Sequence, residues 1–125
     1  MKMIALLLIG LGGGMGAICR GWLAQTIRGE LPWATLLVNV LGAALLGLLF
    51  AWEAHAPDRM PNGTRELLAV GFCGGFTTFS TFSLDTLKLI QAGQMAHAFA
   101  NILLSVSLSI LAVWLGWMLG RTLFA

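Results

Sequence analysis

Four long segments of this chain contain no Asp, Glu, Lys or Arg, and together they make up most of its 125 residues. They are residues 3–19, 31–52, 67–84 and 89–120. Charged residues amount to 10% of the chain, whereas a typical soluble domain has roughly 25%. A helix needs about 20 mainly apolar residues to cross the hydrocarbon core of a bilayer. The sequence therefore predicts an all-α membrane protein with four transmembrane helices.

The predicted spans form a single membrane domain, residues 1–125, at about 3–27, 32–53, 66–92 and 96–120. The start of the chain also resembles a secretory signal, with Lys2 before an apolar run and small residues at Gly16 and Ala17. The apolar segment continues to Ile27, which is long enough to span, so we interpret it as the first span. We expect a multi-pass protein of the inner cell membrane.

Positive charges show little bias between the two sides of the predicted bundle. One side would carry four basic residues and the other three. The two sets are Lys2, Arg59, Arg65 and Arg121 on one side, and Arg20, Arg28 and Lys88 on the other. Because an excess of Lys and Arg normally marks the cytoplasmic side, orientation is weakly specified. Either other features set it, or the chain inserts in both orientations and pairs antiparallel, which we take as a hypothesis.

Small and polar residues recur at helical spacing inside the spans. Thr35 and Asn39 share one face of the second span, whereas Asn101, Ser105 and Ser109 line one face of the fourth. Such a polar stripe either joins helices or lines a permeation path. Small residues four apart let helices approach closely in lipid. In the first span these pairs are Gly10/Gly14, Gly12/Gly16 and Gly13/Ala17.

The third span is interrupted near its centre. Gly74 and Gly75 are followed by the β-branched Thr77 and Thr78, which makes a poor helix interior. A non-helical segment at membrane depth persists only where it is buried in protein or faces a watery cavity. In transporters, broken helices hold cations through carbonyl groups and anions through helix N-termini. The sequence therefore predicts a third helix broken at residues 74–78, with the functional centre at the break.

Two phenylalanines follow the break on one face of the next helical segment. Phe79 and Phe82 are three residues apart, interleaved with the hydroxyls of Ser80, Thr81 and Ser83. The edge of a phenyl ring is the positive part of its quadrupole, so a ring edge aimed into a pore can contact an anion. Phenylalanines at helical spacing also pack ordinary helix faces. The hydroxyls interleaved with the two rings around the break weaken the packing interpretation and leave both open.

The segment Gly74-Gly-Phe-Thr-Thr-Phe-Ser-Thr-Phe-Ser83 closely resembles the signature of the small fluoride channels of the Fluc (CrcB) family. The resemblance extends along the chain, from a Gly-rich first span ending in Arg20, through Asn39, to the polar stripe of the fourth span. It implies a fluoride-selective ion channel that exports cytoplasmic F⁻ by passive electrodiffusion and so lowers fluoride toxicity. It also implies an antiparallel homodimer with two pores, formed by dual-topology insertion.

The resemblance further implies roles for individual residues. A structural Na⁺ at the dimer interface would be held by the main-chain carbonyls of Gly74 and Thr77 from both subunits. Arg20 would lie in a vestibule, where its charge attracts anions. Many relatives have Glu where this chain has Asp85. The fluoride pore would be lined by Phe79, Phe82, Asn39, Thr35, Ser80, Thr81, Asn101, Ser105 and Ser109.

Other functional classes fit the sequence less well. A proton-coupled multidrug exporter is the main alternative, but it needs a membrane-buried carboxylate, and the predicted first span contains none. A helper subunit of a larger membrane complex would not need a broken third span. The residues show no zinc spacing, phosphate-binding loop or nucleophile with its base, so the chain is not predicted to be an enzyme. The formal net charge of +2 indicates no nucleic-acid partner.

Overall fold

A computed structural model describes residues 2–125, and every regular element in that range is helical. Within it, four elements are long and apolar enough to cross a membrane, the third being the broken element Arg65–Gln91. The prediction of an all-helical chain with four spans is confirmed. The helices, in chain order, are α1 (Lys2–Thr26), α2 (Trp33–His55), α3 (Arg65–Cys73 continued by Gly74–Phe76), α4 (Phe79–Gln91) and α5 (Met95–Phe124).

Glycines bring the helices into direct backbone contact in two pairs. Helix α1 packs along α3, and α2 packs along α5. A Cβ atom at Gly12 or Gly16 would collide with a carbonyl oxygen of α3, whereas Cβ atoms at Gly10 and Gly14 would meet nothing within 4 Å. The α1 face that carries Gly12 and Gly16 therefore packs closely against another helix, as small residues permit. The face that carries Gly10 and Gly14 does not. Backbone contact between α2 and α5 occurs in the same way at Gly47 and Gly116.

The interruption of the third span is limited to residues 77–78. Both have extended backbone, with φ/ψ of −87°/157° and −156°/118°. The interruption is narrower than the predicted range 74–78, because the turn Gly74–Phe76 remains helical. Gly75 instead permits close packing, since a Cβ atom there would collide with the carbonyl oxygen of Gly13 in α1. The helix ends where β-branched residues adopt the extended conformation that suits them.

Large apolar side chains cover much of the outer surface, as expected of a protein whose solvent is lipid. Inside, the buried polar residues of the described range are Thr86, Asn101 and Ser105. They belong to α4 and α5, which contact each other. A buried polar group costs free energy unless it is hydrogen-bonded. The contacts of these three side chains are therefore part of what holds α4 against α5.

Candidate functional site

Asn39 of α2 holds the backbone of Thr78 at both of its polar groups. The Asn39 Nδ2 donates to the Thr78 carbonyl oxygen at 3.1 Å, and the Asn39 Oδ1 accepts from the Thr78 N–H at 2.8 Å. Backbone groups freed by a helix break need partners at membrane depth. A single amide side chain offers both a donor and an acceptor. Asn39 therefore supplies both hydrogen bonds to the extended residue at the break.

The two threonines of the break hold the ends of the helices on either side. The Thr78 Oγ1 accepts from the Thr81 N–H at 3.1 Å and so caps the N-terminus of α4. It also lies 3.1 Å from the Thr81 hydroxyl and 3.3 Å from the Ser80 hydroxyl. The Thr77 Oγ1 donates to the Cys73 carbonyl oxygen at 2.7 Å. Each threonine thus stabilises one helix end.

Carbonyl groups at the break differ in whether they have a partner. Arg20 of α1 reaches the break, where its Nε donates to the carbonyl oxygen of Gly75 at 3.0 Å. The carbonyl oxygen of Thr78 is engaged by Asn39. Within residues 2–125, the carbonyl oxygens of Gly74 and Thr77 accept no hydrogen bond. Gly74 is exposed and Thr77 is half-buried, so these two oxygens are available to another group.

A groove of about 440 Å³ opens beside the break, between α2, the broken span and α5. The rings of Phe79 and Phe82 lie 5.4 Å apart at a 50° tilt. Phe79 is 77% exposed, whereas Phe82 is 8% exposed. None of the residues that line the groove is charged. Its polar and aromatic lining consists of Asn39, Thr77, Thr78, Phe79, Phe82, Ser105 and Ser109.

A file of buried hydrogen bonds runs from this groove into the contact between α4 and α5. The Ser105 hydroxyl donates to the Asn101 Oδ1 at 3.4 Å, and the Asn101 Nδ2 donates to the Thr86 Oγ1 at 3.0 Å. The Thr86 hydroxyl donates to the Phe82 carbonyl oxygen at 2.8 Å. The file therefore connects Ser105, which lines the groove, to the backbone carbonyl of Phe82, whose ring also lines the groove.

Several predicted pore residues lie away from the groove lining. One of them, Thr35, donates its hydroxyl hydrogen to the Asp85 Oδ2 at 2.8 Å and so joins α2 to α4. The predicted pore residues outside the lining are Thr35, Ser80, Thr81 and Asn101.

Two residues of the site carried weak signals in the sequence. Thr78 lies inside the predicted break, and a threonine directly before a helix is a common N-cap, which could have indicated its capping role. Thr86 is four residues after Phe82, on the same helix face. Its partner Asn101 belongs to another helix, so spacing within one helix could not reveal the contact.

Comparison with known proteins identifies one family over most of the chain. Residues 7–117 match the family model described as CrcB-like protein, Camphor Resistance (CrcB). The fluoride-specific ion channel FluC of Paramagnetospirillum magneticum is 46% identical over 120 residues, covering 91% of this chain and 93% of the relative. The protein of the same name from Magnetococcus marinus is 44% identical, covering 90% of this chain and 94% of the relative. That from Campylobacter lari is 40% identical, covering 91% and 95%.

Proposed function

Since the chain belongs to the CrcB family, we infer that it is a fluoride-specific ion channel and not an enzyme. It is a multi-pass membrane protein with four spans. It lets cytoplasmic F⁻ leave passively down its electrochemical gradient, which lowers fluoride toxicity. The observation that carries this proposal is the uncharged groove at the break, where Phe79, Phe82 and Ser105 meet. A multidrug exporter is not supported, because the similar proteins named above are all fluoride channels.

The groove has the chemistry that conduction of fluoride requires. Fluoride is small and strongly hydrated, so a pore must replace its water with several donors. Asn39 has a second N–H besides the one bound to Thr78, and ring edges of Phe79 and Phe82 add positive potential. Because the lining has no charged side chain, the ion is bound weakly enough to leave. Ser105 and Ser109 line the same groove. The proposed pathway extends beyond the groove to Thr35, Ser80, Thr81 and Asn101.

Arg20 has a place in this proposal as the charge at the pore mouth. Its Nε is bound to Gly75, which leaves the other guanidinium N–H groups for water or an anion. A positive charge at a vestibule raises the local concentration of anions. Arg20 thus both contacts the break and attracts fluoride towards it.

A Na⁺ ion bound by main-chain carbonyls is part of the proposal, as a structural ion and not as cargo. Its support is that the carbonyl oxygens of Gly74 and Thr77 accept no hydrogen bond within residues 2–125. No group of three His, Cys, Asp or Glu side chains in the described range could hold a metal ion. Carbonyl oxygens are ligands suited to hard cations. Gly74 and Thr77 from two subunits would supply four of them.

The channel assembles as an antiparallel homodimer in this proposal. The groove is open to the surface, Phe79 is largely exposed, and a Cβ atom at Gly74 would meet nothing within 4 Å. A second copy seated against this face would enclose the pathway and bring the carbonyls of Gly74 and Thr77 together. The balanced basic residues on the two sides agree with insertion in both orientations.

The first test is fluoride efflux from liposomes that contain the purified protein. We expect wild-type efflux well above the chloride leak. Phe79→Ile and Phe82→Ile remove the ring edges and are each expected to lower efflux by up to about tenfold, since an aromatic contact contributes up to about 1.5 kcal/mol. Phe72→Ile is the matched control, because Phe72 stacks on Phe76 at 5.3 Å and lies outside the groove. Intact efflux in both groove variants would remove the ring-edge role.

Orientation is tested with two reporters fused in turn to Ala125, one active only in the cytoplasm and one active only outside it. Both are expected to give signal in wild type. Asp58→Lys adds basic charge to the loop between α2 and α3 and is expected to shift the population towards the orientation that keeps this loop in the cytoplasm. A wild-type chain that activates one reporter alone would contradict dual insertion.

A further inference from the structure

We propose that Thr86 fixes the direction of the buried hydrogen-bond file and thereby weakens the binding of fluoride at Ser105. This inference rests on the proposed channel function and deepens it. Thr86 is 8% exposed, Asn101 3% and Ser105 7%. All three side chains are neutral, and Ser105 alone of the three also lines the groove. Thr86 is a positioning residue, because it acts on the ion through two other side chains.

The direction of the file follows from its inner end. A backbone carbonyl can only accept, so the hydroxyl of Thr86 must donate to Phe82. Its oxygen is then free to accept, and the group that donates to it is the NH₂ of Asn101. The amide of Asn101 is thereby oriented, with its Oδ1 towards Ser105.

The consequence appears at the groove. Because an amide oxygen can only accept, the Ser105 hydroxyl must donate its hydrogen to Asn101. Ser105 then turns its lone pairs, and not its hydrogen, towards the groove. Fluoride needs a donor, so it binds Ser105 only by taking the hydrogen away from Asn101. That bond is 3.4 Å long, at the weak end of hydrogen bonding, so the exchange is possible but lowers affinity.

Such a weakened donor suits a conducting pore. An ion must bind well enough to lose its water and weakly enough to leave. A serine with a free hydroxyl hydrogen would bind fluoride more tightly and release it more slowly. The file makes Ser105 a donor whose hydrogen bond passes to the ion on arrival and back to Asn101 on departure.

The test is Thr86→Val, which removes the oxygen and keeps the branched shape. Without its acceptor, the NH₂ of Asn101 is expected to turn to Ser105, which then accepts and gives its own hydrogen to the groove. We expect the half-saturating fluoride concentration for efflux to fall about threefold to tenfold, the effect of one neutral hydrogen bond that the ion no longer has to break, and maximal efflux to fall with it. Thr86→Ser keeps the hydroxyl and is the matched control, expected to stay within about twofold of wild type.

A double-mutant cycle separates this role from a packing defect. In a Ser105→Ala background, Thr86→Val is expected to leave the half-saturating concentration unchanged, because the responding hydroxyl is gone. Looser packing of α4 on α5 would instead lower maximal efflux in both backgrounds and would not tighten fluoride binding.

Thr86→Ala provides a second route if Thr86→Val does not reconstitute. It also removes the acceptor of the Asn101 NH₂ and is expected to lower the half-saturating concentration in the same direction. An unchanged or raised half-saturating concentration in conducting variants would overturn the proposal. Wild-type liposomes that do not conduct fluoride would overturn the channel function, and this inference with it.

Discussion

Asn39→Leu is expected to lower fluoride efflux at least about tenfold and to speed hydrogen exchange at the break. The substitution keeps the approximate size of the side chain but leaves the Thr78 N–H and carbonyl oxygen without their partners at 2.8 and 3.1 Å. Leaving a fully buried group unpaired costs about 1–3 kcal/mol. These groups are part-buried, so the low end of that range applies to each of the two, and about 1.4 kcal/mol in total corresponds to a factor of ten in rate. Efflux from liposomes and exchange of the peptide covering residues 77–81 are the two measurements.

Asn39→Asp and Ser109→Ala distinguish a backbone clamp from a simple pore ligand. Asp can still accept from the Thr78 N–H, but a carboxylate has no hydrogen for the Thr78 carbonyl oxygen, so faster exchange is expected here too. Ser109 lines the same groove and makes no hydrogen bond to the break, so Ser109→Ala is expected to leave exchange there unchanged. If Asn39→Leu reduces efflux while exchange at residues 77–81 stays at the wild-type rate, the clamp is not the reason.

Gly12→Ala is expected to prevent α1 from packing on α3 and to reduce the yield of folded protein severely. The added Cβ atom would collide with the carbonyl oxygen of Leu67. Overpacking in a core typically costs about 1–3 kcal/mol, and a backbone carbonyl cannot rotate away as a side chain can. Size-exclusion chromatography in detergent and the thermal unfolding midpoint measure the loss.

Gly14→Ala is the matched control on the same helix. A Cβ atom at Gly14 would meet nothing within 4 Å, and Ala is more favourable than Gly in a helix by about 1 kcal/mol. The control is therefore expected to fold as well as wild type or better. Equal losses from the two substitutions would mean that glycine acts through the flexibility of α1 and not through its contact with α3.

The fold followed from the sequence because charge-free runs of sufficient length have few alternatives in a bilayer. The residues of the break were also within reach, since glycines next to β-branched threonines oppose helix formation. The first and last residues of the break could not be predicted. Gly74 and Gly75 were expected to interrupt the helix, but they remain helical, and Gly75 makes room for α1. A glycine that breaks a helix and a glycine that admits a neighbouring helix look the same in a single sequence.

Residue spacing along the chain did not predict which side chains contact each other between helices. The stripe of Asn101, Ser105 and Ser109 was visible as a pattern, but whether it joined helices or lined a path was open. Asn101 and Ser105 hydrogen-bond within the helix contact, and Ser105 also lines the groove. Thr86, which we propose orients this pair, has only its spacing from Phe82 as a signal. Its role depends on a partner 15 positions away on a different helix.

The extended residue Thr78 has consequences for how costly ion entry is. Its N–H, carbonyl and hydroxyl are all engaged by protein groups. The conformational entropy of this segment is thus lost when the chain folds and not each time an ion arrives. A pathway organised in advance needs little rearrangement during passage. In the proposed pathway, fluoride therefore meets a fixed set of dipoles, and its barrier is mainly the exchange of its own water for them.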